Sequence, residues 1–257
     1  MIGVLGITAW MLVRNGLATR EVLGYAVRPA QFSRQALIGV ISGVMLMVLI
    51  LVPLFALGVR EWNHRLPADL EGKLLLGVKG LLTGVGVALV EETFFRGAVQ
   101  GTLTKAGSVR TAVLAVPILY AAIHFLGEAV RVPFEQVTPA SGFTILAGFM
   151  RKFADPGKIA DAFLALYFVG VLLALVRHYT GNIAGCIGLH AGIVGVVMMI
   201  RKVSTPAEDS GWSFMVGSFD HLLGIWVAAA GLVACLIAWR YGERSGARSQ
   251  RQGEGML

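Results

Sequence analysis

Leu89-Val90-Glu91-Glu92-Thr93-Phe94-Phe95-Arg96-Gly97 sets two adjacent carboxylates and a guanidinium inside a run that otherwise reads as lipid-soluble. Charged groups at membrane depth are costly, so their presence there is a functional hypothesis by default. On an α-helix, Glu92 and Arg96 lie four residues apart and share a face, in the favourable acid-before-base order. Glu91 lies about 100° round the helix from Glu92, on a different face. The spacing predicts a Glu92–Arg96 ion pair, with Glu91 pointing elsewhere and lacking a local partner. A lone carboxylate in a low-dielectric site suits general-base work at neutral pH. The plainer alternative is a network of three charges that packs helices together.

The composition around this stretch points to a bilayer. Of 257 residues, 56% are hydrophobic and only 14% charged, with a mean hydropathy of +0.74. A soluble domain carries about a quarter charged residues. Several apolar runs reach the roughly 20 residues that a spanning helix requires. The expected fold class is all-α, a polytopic transmembrane bundle of about seven spans, with six or eight allowed, around an intramembrane polar cavity.

The predicted spans are residues 1–12, 36–59, 74–103, 111–126, 159–176, 182–200 and 222–239. The first is short and lacks a preceding basic region, which argues against a cleavable signal peptide. Residues 1–35 form a short apolar segment and a basic interfacial stretch, 36–240 the transmembrane bundle, and 241–257 a disordered basic tail without regular structure. The helix through the acidic pair is too long to cross perpendicularly, so it tilts, breaks or projects. A long connection, 128–158, includes an apolar piece at 142–150 suited to the interface or to re-entry.

The net charge of +7 requires no nucleic acid. Loops 13–35, 105–110 and 177–180 and the tail hold the basic excess on one side, which places the C-terminus in the cytoplasm. The expected partner from charge is therefore the lipid bilayer. The expected localisation is multi-pass, in a bacterial inner (cell) membrane. Cys186 and Cys235 both sit in apolar runs and read as packing residues.

Two histidines, His124 and His190, fall within apolar helices flanking the charged span. Singly, each reads as a packing residue; together beside Glu91 they suggest a site. The helix carrying His190 has Gly181, Gly185, Gly188, Gly192 and Gly195 as a nearly bare stripe that lets another helix approach closely. His190 lies about 160° from the Gly188–Gly192 part of that stripe. His64, His178 and His221 lie in or beside loops and carry no assigned role. No serine sits in a nucleophile-elbow pattern, and no phosphate-binding glycine loop is present.

The stretch Glu91-Glu92-Thr93-Phe94-Phe95-Arg96 resembles the Glu-Glu-x-x-x-Arg signature of the CPBP intramembrane endopeptidases, a family that includes the type II CAAX prenyl endopeptidases and bacterial Abi proteins. Tyr120-Ala121-Ala122-Ile123-His124 is similar to its Phe-x-x-x-His motif, with tyrosine in the aromatic place. His190-Ala191-Gly192-Ile193-Val194 keeps the His of the last motif, but Val194 replaces the usual small polar residue. The resemblance spans residues 75–200. It implies an intramembrane endopeptidase that hydrolyses a membrane-tethered protein with a glutamate-activated water.

By the same resemblance, Glu91 is the general base and His124 positions the water. His190 donates to the oxyanion, and Glu92–Arg96 braces the helix. No cofactor is expected. The alternative is catalytic zinc on the same Glu and His side chains, which three N/O ligands with an open position would suit. Peptide hydrolysis needs a base for the water and donors for the oxyanion, and a dry cavity strengthens both. Val194 offers no hydrogen bond, which leaves open a non-proteolytic scaffold or chaperone on the same fold. A proton-coupled transporter is the third reading, weakened by the lack of an inverted repeat of interrupted helices. The connection 128–158 is placed to cover the site as a lid or substrate clamp.

Overall fold

Describing residues 13–125 and 132–254 together with Gly6 and Trp10, the structure is a computed structural model. A short helix, α1 (Arg20–Leu23), is capped by the Thr19 hydroxyl and ends at Gly24 with φ +80°. It precedes α2 (Pro29–Ala56), which starts on a proline whose missing N–H costs nothing at that position. The long helix α3 (Leu70–Ala106) carries the charged stretch. It is α-helical to Glu92 and turns π-helical over Thr93–Val99, then resumes as Gln100–Ala106. Then follow α4 (Val109–Ile123), the amphipathic α5 (Ser141–Phe153), α6 (Ala160–Thr180), α7 (Ala184–Val203) and α8 (Ile225–Glu254).

Among the described residues, α2, α3, α6, α7 and α8 are long and apolar enough to cross a membrane; α4 is a shorter apolar helix. The chain is an integral membrane protein with a helical bundle. The expected first span, 1–12, lies outside the described residues apart from Gly6 and Trp10, as does the start of the 128–158 connection. Leu37, Ile41, Met45, Leu49 and Val52 on α2, and Leu74, Leu75, Val78 and Leu82 on α3, stand exposed. In water such a surface would aggregate; against acyl chains it is the stable face.

The buried α7 organises the bundle, with α2 and α3 packed on it; α6 packs in turn on α4 and α8. Small residues permit this. Gly39 and Gly43 of α2 meet the α7 backbone at Gly185 and Leu189, and Gly192 meets Val40, so an added Cβ would collide with main chain. Gly80 and Gly84 of α3 meet Gly195 and Ala191 in the same way. The glycine stripe of α7 thus serves two helices, α2 and α3. Gly181 serves neither, ending α6 in a left-handed turn with φ +70°.

Two short strands, β1 (Arg60–Trp62) and β2 (Ser204–Pro206), pair antiparallel with Arg60 opposite Pro206 and Trp62 opposite Ser204. They tie the turn after α2 to the end of α7. Arg60 is buried there, donating to the Ser204 hydroxyl and carbonyl and to the His221 carbonyl. The tail read as irregular is instead helical to Glu254. Arg, Gln and Glu are good helix formers, and the end of an existing helix extends without a new nucleus.

Candidate active site

All five residues singled out in the sequence, Glu91, Glu92, Arg96, His124 and His190, converge on one region where α3, α4 and α7 meet. Glu92 and Arg96 are both fully buried and form an ion pair at 3.2 Å. Arg96 also donates to the Gly170 carbonyl of α6 at 3.1 Å. Its guanidinium carbon stands 4.6 Å from the Tyr120 ring centre and 5.7 Å from that of Phe95. A carbonyl in a helix interior has a spare lone pair, and Gly170 carries no side chain to shield it.

His190 corrects the single-helix picture. Its Nδ1 lies 2.7 Å from the same Glu92 Oε1 that holds Arg96. That carboxylate oxygen is an acceptor, so Nδ1 carries the proton and donates. The other ring nitrogen, Nε2, is 3.9 Å from Glu91 Oε2. The imidazole therefore stands between the two adjacent carboxylates, and Glu91 is near a partner rather than alone. Viewed along α3, the two glutamates diverge; α7 lies in the angle between them, and one ring reaches both. Glu92 consequently does more than brace α3: it fixes the orientation and tautomer of His190.

His124 caps the C-terminal end of α4 and donates from Nδ1 to the Tyr120 carbonyl at 2.8 Å. Both imidazoles are thus anchored through Nδ1, which leaves both Nε2 atoms for other work. Glu91 and His190 are close enough to act electrostatically on His124. Tyr120 joins the parts. Its ring centre is 4.6 Å from that of His124, 6.1 Å from that of His190 and 5.2 Å from that of Phe95. Sequence reading used Tyr120 mainly as the aromatic of a motif, but its ring is the common wall of the site.

Exposure separates the two glutamates. The Glu91 side chain keeps 25% of its surface accessible, against 0% for Glu92 and 3% for His190. Glu91 Oε2 is nonetheless buried and has no hydrogen-bond partner. Val194 is half-buried one turn beyond His190 and supplies no donor. Among the described residues no group of three His, Cys, Asp or Glu is placed as a metal-ligand set. Glu92 Oε1 is already shared by Arg96 and His190.

Further residues hold the site without having been picked out. Gln100, one turn past Arg96, donates to the Ala174 carbonyl at 3.0 Å, one turn past Gly170. Arg96 and Gln100 form a two-rung ladder from α3 to α6, and the recurrence Glu92, Arg96, Gln100 at intervals of four is the signal that would have found it. Tyr25 and Thr93 hydroxyls meet at 2.6 Å and fasten the start of the π segment. Leu23 and Val22 of α1 lie against Gly97 and Gly101 on its other side. Beyond His124, Phe125 packs on Phe153, Phe163 and Phe219, with ring centres 6.0, 6.3 and 4.7 Å away. The end of α5 therefore lies beside the histidine.

A family model described as type II CAAX prenyl endopeptidase Rce1-like matches residues 73–196, a segment that holds all five site residues and Val194. No curated protein and no solved structure gives a significant match. The match over residues 73–196, just under half of the chain, supports a place in the CPBP family of intramembrane endopeptidases through its Rce1-like branch.

Proposed function

We propose that the protein is an intramembrane endopeptidase that hydrolyses a peptide bond of a membrane-tethered protein, with Glu91 as general base. The observation that carries this reading is the gap between Glu91 Oε2 and His190 Nε2. It is 3.9 Å wide, and one of its walls is a buried carboxylate oxygen without a partner. One water can hydrogen-bond across such a gap. Glu91 takes a proton from that water as its oxygen bonds to the scissile carbonyl carbon. The proton then passes to the leaving amine as the C–N bond breaks.

The histidines have defined parts in this scheme. With Nδ1 donating to Glu92, a neutral His190 presents Nε2 as an acceptor, and only its imidazolium form donates to the oxyanion. His124 presents Nε2 from the opposite wall and positions the water. Exposure supports Glu91 as the base: Glu92 is enclosed by Arg96 and His190, whereas Glu91 reaches the accessible side.

Val194 favours a second reading, a membrane scaffold without proteolytic activity, because a donor for the oxyanion is missing one turn from His190. Loss of one such donor typically costs about 10²–10³ in turnover. The test is comparative membrane proteomics of cells carrying wild-type protein, Glu91→Gln or Val194→Asn. The endopeptidase reading expects membrane-anchored proteins to remain full-length only with Glu91→Gln. Identical profiles for wild type and Glu91→Gln, with new cleavage only in Val194→Asn, would favour the scaffold.

A further inference from the structure

A second polar site lies at the opposite end of the Glu92–Arg96–Gln100 face, where α1, the C-terminal part of α3 and the end of α6 meet. It is a cavity of about 220 Å³ lined by Glu21, Gln100, Thr104, Lys105, Arg177 and His178, with Val22, Gly101 and Gly181 completing the wall. A single water needs only about 10–15 Å³, so the cavity has room for a larger polar group. Its floor is Gln100, which is 2% exposed. The amide nitrogen of Gln100 is committed to Ala174, but Oε1 has no partner in the protein. A buried carbonyl oxygen left unpaired is costly, so the site calls for a ligand with an N–H or O–H donor.

The charges around this acceptor are mixed. Arg177 donates from Nε to the Arg96 carbonyl and from Nη2 to the Val22 carbonyl, which fixes its guanidinium at the pocket wall. Lys105, in the last turn of α3, also lines the cavity. The Glu21 carboxylate is held below the usual carboxylate range by its own backbone N–H and the Thr19 hydroxyl, so it stays charged at neutral pH. One anchored and one exposed cation beside a carboxylate and a carbonyl acceptor suit neither a simple anion nor a simple cation. The pocket also sits where α3 and α6 end, and a polar end of two apolar helices is where lipid headgroups are met.

We propose that this pocket binds a phosphoethanolamine zwitterion, its phosphate on Lys105 and Arg177 and its ammonium between the Glu21 carboxylate and Gln100 Oε1. Charge-assisted hydrogen bonds at both ends give the recognition its sense. The ligand is either the headgroup of a bilayer phospholipid or a free phosphoester. Its phosphate would bear on Arg177, and through it on the backbone of the π segment that carries Arg96.

The test is thermal unfolding of the purified full-length protein in detergent, titrated with phosphatidylethanolamine, phosphatidylcholine, phosphatidylglycerol, soluble phosphoethanolamine and inorganic phosphate. The expected result is stabilisation by phosphatidylethanolamine well above that by phosphatidylcholine, whose trimethylated nitrogen cannot donate, or by phosphatidylglycerol. A matching effect of soluble phosphoethanolamine assigns the site to a free phosphoester, and no effect from it assigns the site to the lipid; either supports the chemistry. Lys105→Gln and Glu21→Gln alter exposed side chains and should leave the unliganded melting temperature unchanged. Each should weaken binding about tenfold or more, the effect of losing one charge-assisted hydrogen bond. Equal stabilisation by phosphatidylcholine, by phosphatidylglycerol or by inorganic phosphate would overturn the proposal, as would binding unaffected by both variants.

Discussion

At the residue scale, the site rests on one buried oxygen with two duties. Glu92 Oε1 accepts from both Arg96 and His190, so removing it strands a guanidinium that has no exposed surface. Breaking a buried pair in this way costs about 3–5 kcal/mol. Glu92→Ala should therefore lower the detergent melting temperature sharply, whereas Glu92→Met with Arg96→Met should recover most of the stability without recovering cleavage. A double variant as unstable as Glu92→Ala would mean that the pair is needed for folding itself. Glu91, Glu92, Arg96, His124 and His190 were all legible in the sequence, because charge and imidazole are conspicuous against an apolar background. The bond from His190 to Glu92 was not. Angular projection along one helix says where two glutamates point, and nothing about a third helix standing between them. Tyr120 and Gln100 were equally hidden as hubs, since an aromatic and an amide near a membrane helix have many uses.

At the element scale, the apolar runs announced α2, α3, α4, α6, α7 and α8, with ends displaced by about a turn or less except at the start of α2, which is Pro29 rather than residue 36, and the end of α8, which is Glu254 rather than residue 239. The π-helical stretch Thr93–Val99 leaves no trace in a pattern read at 3.6 residues per turn, although such bulges gather at functional sites. Strands β1 and β2, three residues each, are too short to show alternation. The glycine stripe of α7 was visible, but its division between two partner helices depends on how α2 and α3 are placed. Another glycine carries more consequence for the site. A Cβ on Gly170 would fall 2.9 Å from Pro117 Cβ and 3.1 Å from Tyr120 Cδ1. The proline ring cannot yield, so Gly170→Ala should push α4 and Tyr120 away from α6, at an overpacking cost of about 1–3 kcal/mol. The expected outcome is a destabilised protein with most of its cleavage lost. Normal stability and turnover would show that the α4–α6 contact has slack at this level.

At the scale of the whole molecule, the basic end is a structural unit. Residues of α1, the end of α3 and the end of α6 line one cavity, and the Tyr179 hydroxyl reaches the Trp239 carbonyl near the end of the apolar part of α8. The loops that charge counting grouped on one side are thus neighbours. Helix α4 leads away from that end and α6 returns to it, so residues 132–158 lie at the other. With basic residues facing the cytoplasm, a reporter inserted between residues 135 and 141 should read out as extracytoplasmic, and one following Tyr241 as cytoplasmic. The reverse pattern would turn the molecule over and redirect the substrate search to cytosolic, lipid-modified chain ends. Composition alone carried the membrane assignment. A cover over the site was expected of the connection from its place after His124, but the contact of Phe153 with Phe125 was not legible, because it depends on how distant parts of the chain pack.

The central claim is that Glu91 directs a water onto a peptide carbonyl, and isotope labelling tests it most directly. Membranes containing the wild-type protein or Glu91→Gln are incubated in ¹⁸O-water, and newly formed peptide C-termini are read by mass spectrometry. The account predicts ¹⁸O-labelled C-termini from membrane-anchored proteins with the wild type, reduced about 10²–10⁴-fold with Glu91→Gln. The same labelled termini in equal amount with both proteins would contradict it.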